Sequence, residues 1–239
     1  STYGFFDNLG EQRPKSEVLP YSLITVLFSD YADKDRFVYV PVEKTANYVE
    51  NSVFQFPVGT ALIKTFSYSK RINDSDVGKE LIETRLLLRK HDRCETLAYV
   101  WNEDQTEAYL KVDGKTVNTR FTDTTGKIRP VRYRVPNKNQ CKECHSTNDV
   151  ISPIGPKARN LDKDLNYGDG SKNQLAYLLQ KGVIDSIPTN FQTISDWEDE
   201  SQSLEDRSRA YLAINCGHCH TPSGVANSTG LYLDFNEVR

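Results

Sequence analysis

Over roughly the first 135 positions, apolar and polar residues alternate in short runs, the two-residue period of half-buried strands. Residues 37–40 read as a short strand ended by Pro41, and 61–66 as another that follows the turn-like Pro57-Val58-Gly59. Residues 81–89 are apolar-rich, and 96–101 alternate around Leu97, Tyr99 and Trp101. Lys90-His91-Asp92-Arg93 forms the hairpin tip between these two. Residues 108–112 and 116–119 flank Asp113-Gly114, a type I′ hairpin signal. Residues 131–135 close the series before Pro136. Roughly seven short strands with regular turns predict a sandwich or partial barrel.

Beyond Pro136 the period changes. Pro136-Asn137-Lys138-Asn139-Gln140 opens a helical region, and Pro153, Gly155 and Pro156 mark an irregular loop. Ser171 and Gln174 form an S-x-x-Q capping box. Leu175, Leu178 and Leu179 then build one apolar helix face, which Gly182 ends. Residues 187–200 read as linker. Ser203-Leu204-Glu205-Asp206 starts another helix, its acids favoured at the positive dipole end, with Leu204, Tyr211 and Ile214 at helical spacing. The expectation is an α+β chain. A β-sandwich-like domain (1–135) precedes a first helical region (136–190) and a second (191–239).

Each helical region carries the same signature: Cys141-Lys142-Glu143-Cys144-His145 and Cys216-Gly217-His218-Cys219-His220. C-x-x-C-H is the attachment site of c-type haem. Two thiols three positions apart lie on one side of a helical turn, so both reach the vinyl groups of one porphyrin. The next residue presents its imidazole to the iron. Cys141, Cys144, Cys216 and Cys219 are therefore read as tethers and His145 and His220 as iron ligands, for two covalently bound haems c in cytochrome-c-like regions. The rival is zinc held by the two C-x-x-C pairs. Those pairs lie roughly 70 residues apart, against the 15–20 of a zinc ribbon, and zinc gives no reason for the two histidines. A thioredoxin-like site would need a βαβ pattern that does not precede either motif.

With 239 residues, 37% hydrophobic and 26% charged, the composition is ordinary for a globular protein of one large or two modest domains. A net charge of −3 provides no basic surface for nucleic acid. No apolar run approaches the ~20 residues of a membrane span. The start at Ser1-Thr2-Tyr3 reads as a mature or trimmed form that has lost an export signal. In bacteria, haem is attached to C-x-x-C-H outside the cytoplasm, so the periplasm or cell surface is the expected place. Cys94 is left over. It reads as a small buried hydrophobe, or alternatively as an intermolecular disulfide or a reactive thiol.

The chain has no methionine, so a His/Met haem cannot form within it. The spare histidines are His91, in the charged hairpin tip, and His218, inside its own C-x-x-C loop; Tyr167 follows the first motif. Lysine, asparagine, water or an open iron complete the alternatives. At least one haem is expected to lack a strong protein sixth ligand. Only 19 residues follow His220, fewer than a whole cytochrome c domain needs, which reads as truncation.

Several stretches resemble a group of exported bacterial dihaem cytochrome-c-like proteins with an N-terminal β-rich domain. They are Leu27-Phe28-Ser29-Asp30-Tyr31-Ala32, Phe56-Pro57-Val58-Gly59-Thr60, Ile82-Glu83-Thr84-Arg85-Leu86-Leu87, Val100-Trp101-Asn102-Glu103, Val135-Pro136-Asn137, residues 153–161, and Asn215 with the second motif. The resemblance implies a β-rich region followed by haem regions, with further methionine-containing sequence beyond this chain's end. It implies no particular activity.

Electron transfer with a redox partner protein through small, transient contacts leads the functional readings. A dihaem enzyme of peroxidase type is the second, with an open distal site served by His91 and Asp92. The third is a β-domain that binds a polysaccharide or protein at the cell surface, with haems attached. A zinc-held structural protein is the fourth.

Overall fold

Two short strands pair near the start of the chain, β1 (Phe6–Asn8) and β2 (Arg13–Pro14). Six more form one antiparallel meander in chain order: β3 (Val18–Tyr21), β4 (Asp33–Tyr39), β5 (Ala61–Ile72), β6 (Ser75–Arg89), β7 (Cys94–Trp101) and β8 (Ala108–Leu110). The computed structural model describes residues 3–72, 75–123, 125–148 and 150–237. The chain is mostly β, with 35% strand and 15% helix.

All seven strands expected from alternation are present. The tip at 90–93 closes as a hairpin, with Lys90 N donating to Arg93 O at 2.8 Å. The pairing around Asp113-Gly114 differs from expectation. β8 returns to β7, matching Val100 with Tyr109, while β9 (Lys115–Thr122) pairs with β10 (Ile128–Val135) as a separate hairpin. Gly114 does turn, at φ +75, but it carries the chain out of the sheet. A Cβ there would lie 2.7 Å from Val135 O. The sandwich expectation is met only as one six-stranded sheet with this hairpin laid against it.

The pleat sorts the sheet into two faces. One face carries Phe37, Ile63, Leu86 and Leu88 and is covered by Phe5 and Phe6. Thr65 binds Gln12 of this cover at 2.5 Å and Thr84 at 2.8 Å, and Trp101 Nε1 donates to Thr84 at 3.1 Å. The other face is covered twice. At one end Phe66, Tyr68 and Val100 meet Tyr133 and Val135 of β10. At the other, Val38 and Leu62 pack with Leu161, Leu175 and Leu178 from the second half of the chain.

That second half contains α1 (Lys138–His145), the small hairpin β11 (Ser146–Thr147) and β12 (Val150–Ile151), and α2 (Ala158–Leu161). It continues with β13 (Asp164–Asn166), β14 (Ser171–Asn173), α3 (Gln174–Gln180) and α4 (Leu204–Asn215). Ser171 is not a cap. It pairs with Asn166 in β13–β14, and Asn173 caps α3 by accepting from Ala176 N at 3.2 Å. Leu175 and Leu178 are buried, but Leu179 is exposed. Gly182, at φ +70, ends the helix as expected. Ser203 caps α4, accepting from Asp206 N at 3.1 Å. Leu204 is exposed, and the buried residues of α4 are Ala210, Ala213 and Ile214. Residues 187–200 hold no helix or strand, although Ile194 is buried against Ala210 and Ile214.

Three side-chain amides bind the irregular segment after β3 to this second half. Gln174 accepts from Ser22 N at 2.7 Å and donates to Ser22 O at 3.0 Å. Asn160 accepts from Thr25 N at 2.9 Å and donates to Thr25 O at 3.0 Å. Asn215 accepts from Phe28 N at 2.7 Å. Asn160, Gln174 and Thr25 are fully buried, so Asn160 and Gln174 replace strand partners that this backbone would otherwise lack. Asn160→Ala strands the buried N–H and C=O of Thr25. It is expected to destabilise the chain by about 3 kcal/mol, read from the urea midpoint at unchanged m-value.

Candidate functional site

The first C-x-x-C-H motif sits on α1. Asn137 caps the helix, accepting from Asn139 N at 3.0 Å and Gln140 N at 2.9 Å, and Asn137 N donates to Gln140 Oε1 at 3.0 Å. One helical turn thus brings Cys141, Cys144 and His145 to one side, and all three line the same cavity. The β11–β12 hairpin folds back so that Ser152 brackets His145. Ser152 N donates to His145 O at 2.9 Å, and His145 Nδ1 lies 2.8 Å from Ser152 O. A carbonyl only accepts, so Nδ1 carries the proton and Nε2 keeps its lone pair. Burial, reinforced by the nearby Lys64 and Arg85, pulls His145 down to about 4, so the ring is neutral at pH 7.

The second motif follows α4 as a tight turn, with Cys219 N and His220 N both donating to Cys216 O, at 3.0 and 2.9 Å. Two glycines permit it. A Cβ on Gly217 would lie 2.6 Å from Ala213 O, and one on Gly224 would lie 2.3 Å from Cys219 O. His220 repeats the arrangement of His145, with Nδ1 3.1 Å from Leu231 O, while Leu233 N donates to His220 O at 2.9 Å. The fold brings the two motifs together although they are far apart in sequence. Cys219 Sγ lies 3.6 Å from Glu143 O, and Asn148 N donates to Ser223 O at 3.2 Å.

The cavity beside the first motif has a volume of about 250 Å³. Its apolar wall includes Leu23, Leu27, Leu62, Leu87, Ile154 and Ile214. Facing the motif is a row of cations on three adjacent strands. Arg36 of β4 pairs with Lys64 of β5, and Lys64 pairs with Arg85 of β6. All three line the cavity, with Arg134 of β10, and among the described residues the lining contains no Asp or Glu. The sequence reading did not pick out these residues. The signal was present, since Lys64 interrupts the apolar Leu62 and Phe66 on one strand face, as Arg36 does beside Val38 and Arg85 beside Leu87.

The other candidates lie elsewhere. His91 and Asp92 are exposed at the 90–93 tip, where Asp92 pairs with Arg93 at 3.3 Å, and neither lines the cavity. The distal acid–base role considered for them is not supported by this placement. His218 Nδ1 lies 3.3 Å from Ile214 O, and Tyr167 stacks on Tyr177 with centroids 3.6 Å apart. Cys94 is buried and unbridged, and burial pushes its thiol up. Among the described residues no three His, Cys, Asp or Glu side chains converge as a group that could hold a metal ion.

Two outcomes follow from this geometry. Gly224→Ala forces its Cβ onto the Cys219 carbonyl and is expected to cost about 2 kcal/mol in chemical unfolding. The unfolded chain protonates His145 between about pH 6.5 and 4 while the folded chain resists it. Stability therefore falls as pH drops through that window, and His145→Gln removes that part of the slope in urea titrations across it. No family model, curated protein or solved structure matches the chain.

Proposed function

We propose that the chain is a dihaem c-type cytochrome that transfers electrons, working in the periplasm or at the cell surface. Cys141 and Cys144 would hold one haem through thioether bonds, with His145 Nε2 as its iron ligand. Cys216, Cys219 and His220 would hold the other. The observation that carries this reading is the matched treatment of two histidines 75 positions apart. In both, Nδ1 is spent on a backbone carbonyl, leaving Nε2 free for an iron. When bound, the haems supply reversible one-electron iron chemistry.

The chain's own contribution is orientation and proximity. Ser152 and Leu231 fix the rings, Leu23, Leu62, Leu87 and Ile154 exclude water beside the first motif, and the Cys219–Glu143 contact joins the two motifs. Because the two motifs touch, the groups they would hold could pass electrons between them and on to a partner. The helical regions would be cytochrome-c-like in this attachment chemistry.

Expression with a haem-attachment system, followed by a pyridine haemochrome assay, tests the reading. Two haems per chain are expected. One should remain in the double variant Cys141→Ser/Cys144→Ser, and one in Cys216→Ser/Cys219→Ser. Colourless protein from a host that matures other c-type cytochromes defeats the proposal.

A further inference from the structure

The cation row needs an explanation that the fold does not supply. Arg36, Lys64 and Arg85 stand directly opposite one another on a covered sheet face. Like charges in cross-strand register oppose the pairing of their strands, and taking them out of water adds to that cost. Of the acids on these strands, Asp35 is held by Lys79 at 2.9 Å, and Glu83 pairs within the row, with Arg85 at 2.5 Å. Arg36, 7% exposed, gives one guanidinium N–H to Lys34 O at 3.1 Å. Lys64 sits 5.0 Å above the Phe66 ring, with Arg85 4.4 Å from the same ring. Arg85 Nε is buried without a partner among the described residues.

Burial pulls Lys64 well below its ordinary value, and the cations on either side pull it further. Burial lowers Arg36 as well. Burial opposes the Arg85 charge too, but the Glu83 carboxylate holds that guanidinium above its usual value. With all three bases protonated, the row carries two positive charges beyond the one that Glu83 compensates.

We infer that Arg36, Lys64 and Arg85 seat a pair of carboxylates, the two propionates of the haem tethered at Cys141 and Cys144. This inference rests on the haem reading of the first motif. Charge and chemistry agree: two carboxylates match the excess of the row, guanidinium groups bind carboxylates in a planar fork, and the cavity brings row and motif together. The same chemistry would bind a soluble dicarboxylate or oxyanion, so the experiment separates the two sources.

The test uses the haem-loaded chain and the variants Arg36→Gln and Lys64→Gln, with Arg13→Gln as an exposed control on the strand pair over the opposite face. A haem count first establishes whether the motif is loaded; a count below two breaks the haem reading and this inference with it. In loaded protein, each row variant is expected to raise the oxidised-to-reduced ratio of one haem about tenfold at fixed potential, about 59 mV for one electron. The propionate bending band in resonance Raman should move, the spin state should not change, and Arg13→Gln should do nothing. Row variants that fold, load two haems and leave both potential and propionate band unmoved overturn the inference alone. So does a change of spin state in Lys64→Gln only, which assigns that amine to the iron. A potential in wild type that responds to added succinate or sulfate at constant ionic strength, with the propionate band unmoved by the variants, assigns the row to a soluble anion and also overturns it.

Discussion

The arrangement depends on three amides holding one backbone segment. Gln174, Asn160 and Asn215 take up the polar groups of Ser22, Thr25 and Phe28, in a stretch that belongs to no strand or helix. An orphaned buried N–H or C=O costs more than a single hydrogen bond gains, so Asn160 acts as an obligatory partner of the buried Thr25. Each comes from a different part of the second half: α2, the start of α3 and the end of α4. Asn215 immediately precedes Cys216, so the same contact that closes the backbone also sets where the second motif begins. Leu23 and Leu27 of the clamped segment form part of the wall facing the first motif.

Both histidines show how much chemistry a single hydrogen bond can determine. Histidine has two tautomers of similar energy in water, and each leaves a different nitrogen bare. The carbonyls of Ser152 and Leu231 select one of them. In each motif the selecting residue lies beyond the five-residue signature, in a segment that folds back over it. The signature therefore supplies the donor atoms, and the local fold decides how they are presented.

Strands are legible where residues alternate, as in 96–101, because period two follows directly from the pleat, and where a short apolar-rich run lies between turn signals, as in 61–66 and 81–89. β3 escaped notice because Pro20 interrupts it; at the sheet edge a missing N–H is tolerated. Asp113-Gly114 was read correctly as a turn and wrongly as a hairpin, because pairing depends on what the flanking strands find in space and not on the turn itself. The spacing of Ser171 to Gln174 fits a cap, yet a two-strand ladder with β13 claims its backbone and leaves the cap to Asn173. The two motifs were readable as donor sets from sequence. Their mutual contact and the basic row facing the first were not, since both require knowing which strands are neighbours.

The row also shows what kind of change could remove it. Its three members share a face only because β4, β5 and β6 align Arg36 with Lys64 and Lys64 with Arg85. Inserting or deleting one residue within the 61–64 stretch would turn Lys64 toward the side of Phe37 and Ile63 while leaving the overall composition almost untouched. Indel tolerance in this part of β5 should therefore be far lower than in surface loops, and chain length there constrains the molecule as tightly as residue identity does.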